Sequence, residues 1–297
     1  MARALQGGLL PAGTLRRAVV EIACDESGFS GTNLLDPAGP VITHASVDLS
    51  GAEAVALIAE LRARFRFSPY ELKSGQVLRQ PPALQWFLAA LEGRSYVHVV
   101  NKEFFLVTRI VDLMLGEPSY AAGTRVAQRN RPAAQALYET GRTAGDDWHA
   151  FLSAFVDLGK SKRRRPHQAG RRFVAAGEKL GGLDPDQLRA AAERLDSNDP
   201  SVPPPLEPLL PALAETVLFW SAGHRQVLVT HDEQSALTAG RLVRLQSALA
   251  GADSISPLAG LVMADSRDDA RVQVADLLAG ATRRAAEAQP GPALSPD

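Results

Sequence analysis

Two carboxylates, Asp25 and Glu26, stand side by side after the apolar residues Val19, Val20, Ile22, Ala23 and Cys24, and the turn formers Ser27-Gly28-Phe29-Ser30-Gly31 follow them. The pattern predicts a short buried strand that delivers both acids to its C-terminal mouth. Adjacent anions at a rigid strand end repel each other unless a cation, a proton or a donor-rich ligand lies between them. Because the ligands are oxygens, the expected cation is Mg²⁺ or Mn²⁺. A plainer reading has Asp25 capping the turn at Ser27 and Gly28.

Further acids recur at comparable places. The apolar runs Gln226–Thr230 and Leu258–Ala264 read as strands, and each runs into an acid: His231-Asp232-Glu233-Gln234 after the first, Asp265-Ser266 after the second. Sites in open α/β sheets form beyond the carboxyl ends of strands. Asp232 and Asp265 also have a second reading as helix N-caps. Near the end of the chain, Val272, Ala275, Leu278 and Ala279 recur at helical spacing. Gln273 and Asp276, three apart, share one face of that helix. A carboxylate in so apolar a run is expensive to bury alone, so the helix is expected to bring Asp276 to Asp25.

Strands are expected at 15–24, 41–47, 96–102, 226–230 and 258–264, and helices at 52–65 (Ser50 as cap), 82–91, 211–223 and up to 249. Between about 103 and 205 the pattern is helical and polar, closing in the stiff stretch Pro203-Pro204-Pro205. The expectation is an α/β protein with one domain over 15–285, a helical and partly basic insertion at 103–205, and loose tails at 1–14 and 286–297.

With 297 residues, 45% hydrophobic and 22% charged, the chain has the composition of a folded protein. A formal net charge of −1 excludes a global polycation. The single cysteine, Cys24, excludes an internal disulfide framework and a cysteine zinc site. The first residues lack a signal-peptide pattern and no apolar run reaches membrane-spanning length, so a cytoplasmic protein without membrane contact is expected.

The ordered set Asp25-Glu26-Ser27-Gly28, Glu71-Leu72-Lys73-Ser74, the strand ending at Lys102, His231-Asp232-Glu233, Asp265-Ser266 and Gln273-Val274-Ala275-Asp276 resembles the bacterial family catalogued as domain of unknown function 3800. The resemblance spans about Val19 to Thr282 and leaves the basic middle segment unmatched. That family is similar to the RNase H-like fold. The resemblance therefore implies an RNase H-like mixed five-stranded sheet flanked by helices, with a helical insertion, and a metal-dependent nuclease hydrolysing phosphodiester bonds of DNA or RNA. It makes Asp25, Asp232 and Asp276 the metal ligands, with Asp265 and Glu26 assisting. Glu71, Gln273 and Glu233 are supporting residues, although an RNase H-type glutamate is expected after the third strand and Glu71 precedes it. Lys73 and Lys102 would touch a scissile or flanking phosphate.

The basic residues Lys160, Lys162, Arg163, Arg164, Arg165, Arg171 and Arg172 have two readings, a solvated loop or a patch that grips nucleic acid by releasing counterions from phosphates. His44 and His98 read as packed or exposed strand residues. Asp146-Asp147-Trp148-His149 has metal-binding residue types but no distant partner. Two other functions fit part of the pattern. One is an aspartyl-nucleophile phosphatase, against which Ser27 stands where a second acid is required. The other is a nucleic-acid-binding or interaction module with a degenerate site.

Overall fold

The computed structural model describes residues 8–11, 17–29, 33–67, 72–122, 124–126, 128–160, 166–197, 199–250 and 255–288. Five strands, β1 (Val19–Ser27), β2 (Val41–Val47), β3 (Ser95–Asn101), β4 (Gln226–Asp232) and β5 (Leu258–Ala264), form one open mixed sheet in the order β3-β2-β1-β4-β5. β1 runs antiparallel to β2 and parallel to β4, and β4 is parallel to β5. The chain divides into two compact units, one of Met1–Gly28, Val41–Val99 and Ala212–Asp297, the other of Phe29–Pro40 and Val100–Pro211.

In the first unit, α1 (Gly51–Phe65) begins where Ser50 and Glu53 form a reciprocal capping box, which satisfies two of the backbone N–H groups left open at a helix start. It is followed by the short α2 (Ser74–Leu78) and by α3 (Pro81–Ala90), which starts on prolines that need no donor there. Two helices cover the sheet near its centre. α11 (Ala270–Ala288) buries Val272, Val274, Ala275, Leu277, Leu278 and Ala279 and packs on β1 and β2, where Thr43 donates to the carbonyl of Ala279. α9 (Leu209–Ser221) supplies Trp220, whose indole N–H donates to Ser46 Oγ, and Thr216, which bonds His44. α10 (Ala239–Ala250) packs on β5. Leu9, in the segment expected to be a loose tail, exchanges two backbone hydrogen bonds of 2.7 Å with Leu261. That bridge covers part of an edge that would otherwise present unpaired groups.

The second unit is helical among its described residues: α4 (Lys102–Met114), α5 (Arg131–Arg142), α6 (Asp146–Lys160), α7 (Pro166–Leu180) and α8 (Pro185–Asp196). α6 buries Trp148, Phe151, Leu152, Phe155 and Val156, the spacing of a single helix face. Phe173 from α7 lies between Phe151 and Phe155, with ring centroids 5.1 and 5.6 Å away.

Two strand ends differ from expectation in a way that matters for the acids. β1 runs three residues past Cys24, because its antiparallel pairing with β2 continues to Ser27↔Thr43 after the parallel pairing with β4 has reached Cys24↔His231. Asp25 and Glu26 are thus held by a ladder and do not hang in a turn. β4 extends to Asp232 and the next helix starts only at Ala239, so Asp232 is a strand residue and caps no helix. No helix among the described residues is long and apolar enough to cross a membrane.

Candidate metal centre

Strand alternation sends Asp25 and Glu26 to opposite faces of the sheet. Asp25 takes the face covered by α11. It is buried, with a fractional exposure of 6%, and its Oδ1 accepts from the Glu26 N–H at 2.7 Å. Burial, first, and then the negative charges of Glu26, Asp232 and Asp276 push this carboxyl up to about 9, while the Glu26 N–H partly opposes the shift. The sequence-predicted acids Asp232 of β4 and Asp276 of α11, together with Glu26, therefore all act on Asp25.

Asp232 is half-buried, and its Oδ1 accepts from the Ser266 N–H at 3.2 Å. Burial raises its carboxyl above the ordinary range. The N–H groups of Glu233 and Ser266 offset part of that, and the Glu26 charge adds to it. Asp276 sits half-buried on α11 between the buried residues Ala275 and Leu277, and Gln273 lies half-buried one turn before it. Glu26 points to the face covered by α9. Its Oε1 accepts from Gln234 Nε2 at 2.6 Å, whereas Oε2 is buried without a hydrogen-bond partner. The nearest cationic candidate is His231, with Nε2 3.9 Å from that oxygen.

The remaining candidates are placed as follows. Asp265 is engaged by Arg267 through three side-chain bonds of 3.0, 3.2 and 2.5 Å and by the Arg267 N–H. The Arg267 guanidinium holds its carboxyl at about 2, and no acid of the cluster contributes to that shift. The structure thus pairs Asp265 with an arginine and does not bring it to Asp25. Glu233 is exposed in the loop after β4. Lys73 is exposed at the start of α2, whose Ser74 abuts Gly280 of α11, one turn beyond Asp276. Glu71 lies outside the described residues, as do Lys162, Arg163, Arg164 and Arg165. Lys160, Arg171 and Arg172 are exposed on α6 and α7 of the second unit. Lys102 also belongs to that unit. It is buried at the first position of α4 and lines a cavity with Asp36, Glu103, Trp148 and His149.

Among the described residues, no three His, Cys, Asp or Glu side chains are drawn into a ready-made metal cage. The donor set nevertheless suits a hard divalent ion. It consists of carboxylate oxygens, and it carries mutual repulsion that a cation would relieve.

Sequence reasoning passed over one feature of this region. His44 on β2 and His231 on β4 are fully buried and bonded to each other across β1, with Nε2 atoms 3.1 Å apart. The signal was available: the antiparallel register places His44 opposite Glu26, and the parallel register places His231 beside Cys24. Comparison of the chain with models of known families, with curated proteins and with solved structures gives no match.

Proposed function

We propose that this chain is a metal-dependent nuclease of RNase H-like architecture that hydrolyses phosphodiester bonds of DNA or RNA. The observation that carries the reading is the Asp25 carboxyl, buried and pushed upward by acids from β1, β4 and α11. Such a concentration of like charge at the carboxyl end of a central strand is costly for a fold and useful to a cation site. The sheet order, with β4 and β5 parallel to β1, supports the architecture.

Asp25, Asp232 and Asp276 would hold one or two Mg²⁺ or Mn²⁺ ions. The chemistry such ions supply when bound is a water of lowered pKa and neutralisation of charge on the departing oxygen. The protein's part is to position and to exchange protons. Asp25 gives up the proton it holds in the metal-free protein. Asp232 is kept in place by the N–H groups of Glu233 and Ser266. Lys73, carried beside α11 on α2, is suited to a phosphate flanking the cleaved bond. The exposed cations Lys160, Arg171 and Arg172, with Lys162 to Arg165, would contact the backbone without reading bases.

The test is incubation of labelled single- and double-stranded DNA and RNA with the protein in Mg²⁺, in Mn²⁺ and in EDTA. Cleavage of at least one polymer should require metal and should be lost in Asp276→Asn. Cleavage in EDTA, an Asp276→Asn variant as active as wild type, or no cleavage of any polymer would overturn the proposal.

A further inference from the structure

Carboxylates at Asp25, Asp232 and Asp276 repel the polyanion they are proposed to cut unless cations stand beside them. Two arginines that follow β5 are already closed on acids, Arg267 on Asp265 and Arg271 on Asp269. Arg283 is placed differently. It comes seven residues after Asp276 on α11, so it stands on nearly the same face, about 10 Å further along the axis at 1.5 Å per residue. That face meets the end of β1. Gly28, the residue after that strand, has φ +95°, and a Cβ there would lie 2.7 Å from Arg283 Cδ and 2.6 Å from the carbonyl oxygen of Val41. A bare Cα is needed for both reasons, and it lets the aliphatic arm of Arg283 lie across the chain just beyond Asp25-Glu26-Ser27. Thr43 pins the same junction, since its buried hydroxyl donates at 2.8 Å to the carbonyl of Ala279, one turn before Arg283.

The guanidinium is anchored at one corner. Nη1 donates to Glu287 Oε1 at 3.2 Å, and the arginine side chain keeps 29% of its surface in solvent. Nε is buried and has no hydrogen-bond partner among the described residues. A planar fork held at one corner, with a donor unpaired on its other edge, suits a phosphate, whose oxygens accept two parallel bonds from such an edge. The cost of the unmade bond at Nε is offset when an acceptor arrives. We infer that Arg283 binds a backbone phosphate of the nucleic-acid strand, flanking the phosphate at Asp25, Asp232 and Asp276, and so holds the strand against the end of β1. The inference takes its substrate from the proposed nuclease site and its geometry from the contacts of Gly28, Thr43 and Glu287.

The probes are a fluorescein-labelled single-stranded DNA and an RNA of the same sequence, bound to the full-length protein in EDTA and followed by anisotropy over a range of salt. Arg283→Gln should weaken binding of the better-bound polymer. It should also flatten the dependence of log affinity on log salt by roughly 0.7, the value for one phosphate contact on a single strand. Arg283→Lys should keep the wild-type slope, because the charge remains, and bind more weakly, because the fork is lost. Glu287→Gln should bind no more weakly than wild type, whereas an arginine that served only its ion pair would make this variant behave like Arg283→Gln. Mn²⁺ affinity, measured by calorimetry, should not fall in Arg283→Gln, which separates a strand contact from damage to the carboxylate cluster. An Arg283→Gln slope equal to wild type overturns the inference. So does a Glu287→Gln variant that weakens binding as Arg283→Gln does, a fall in Mn²⁺ affinity that matches the fall in polymer affinity, or a wild type that binds neither polymer. The predicted slopes from a wild type that cleaves no polymer would uphold Arg283 as a phosphate contact and remove the nuclease reading alone.

Discussion

Asp25→Asn should make the metal-free protein more stable at pH 8 and remove much of its dependence on pH. The Asp25 carboxyl is pushed from its ordinary 3.8 to about 9 by burial and by Glu26, Asp232 and Asp276. Between those values the folded chain holds a proton that the unfolded chain has released. Stability from this group is therefore fully present below about pH 4 and declines as pH rises toward 9. One proton of difference corresponds to a slope of up to about 1.4 kcal/mol per pH unit. Two other buried groups fix the window in which this can be seen. His44, held neutral by burial, lowers stability only as pH falls below its ordinary 6.5. Cys24, whose thiol burial pushes upward, adds a decline only as pH approaches its ordinary 9.0. Urea unfolding in EDTA between pH 7 and 8.5, compared between wild type and Asp25→Asn, reads the Asp25 carboxyl, because Asp232 and Asp112, which burial also pushes upward, are common to both proteins. Wild type should lose stability across that interval, and Asp25→Asn should lose less and exceed wild type at its upper end. Mg²⁺ should displace the proton, so its stabilisation of wild type should grow with pH, by about 2.7 kcal/mol where its concentration is 100 times the Kd. Equal slopes for the two proteins, with the asparagine variant less stable at pH 8, would show that Asp25 is ionised and held by a structural partner, and the reasoning would fail.

The pairing of Asp265 with Arg267 predicts that Asp265→Asn leaves Mn²⁺ affinity, measured by calorimetry, at the wild-type value, whereas Asp232→Asn lowers it strongly. The basic run supplies a separate expectation. Replacing Lys162, Arg163, Arg164 and Arg165 with alanine should flatten the dependence of log affinity on log salt for a labelled oligonucleotide, by roughly 0.7 to 0.9 for each phosphate that is no longer neutralised. An unchanged slope would reduce the run to a solvated loop.

The acids were legible in the sequence because each interrupts a strong local pattern. Asp232 and Asp265 end runs of strand formers, and Asp276 breaks an apolar helix stripe. What local pattern does not carry is which acids meet. Asp232 and Asp265 looked alike, both at strand ends. The difference is made by Arg267, two residues after Asp265, which closes on it within a turn. Asp232 accepts from backbone N–H groups instead and, among the described residues, has no arginine closed upon it. The strand boundaries were misplaced for a related reason. A run of apolar residues marks where a strand is buried, whereas the end of β1 is set by how long β2 continues beside it. The extent of the helical segment is of the same kind. The second unit also takes Phe29–Pro40, which no periodicity within 103–205 could announce.

The histidines escaped notice because their significance lies in register, a property of pairs of strands. His44 sits in a β-branched run and reads as one more packed residue. Only the pairing of Glu26 with His44, and of Cys24 with His231, puts both rings over the same two residues of β1. The same alternation gives two adjacent acids different environments. Asp25 faces α11, where burial and Asp276 favour a proton in the absence of metal. Glu26 faces α9, where Oε1 accepts from Gln234 and Oε2 is buried without a hydrogen-bond partner. A dipeptide of two acids at a strand end thus presents one carboxylate to each face of the sheet. The Asp25 carboxyl must lose its proton before it can bind a cation. Metal binding should consequently release close to one proton per protein near pH 7.5, measurable as the dependence of the Mn²⁺ binding enthalpy on the ionisation enthalpy of the buffer. Asp25→Asn should abolish that release. Release of no proton would show that Asp25 is already ionised in the metal-free protein and would contradict this reading.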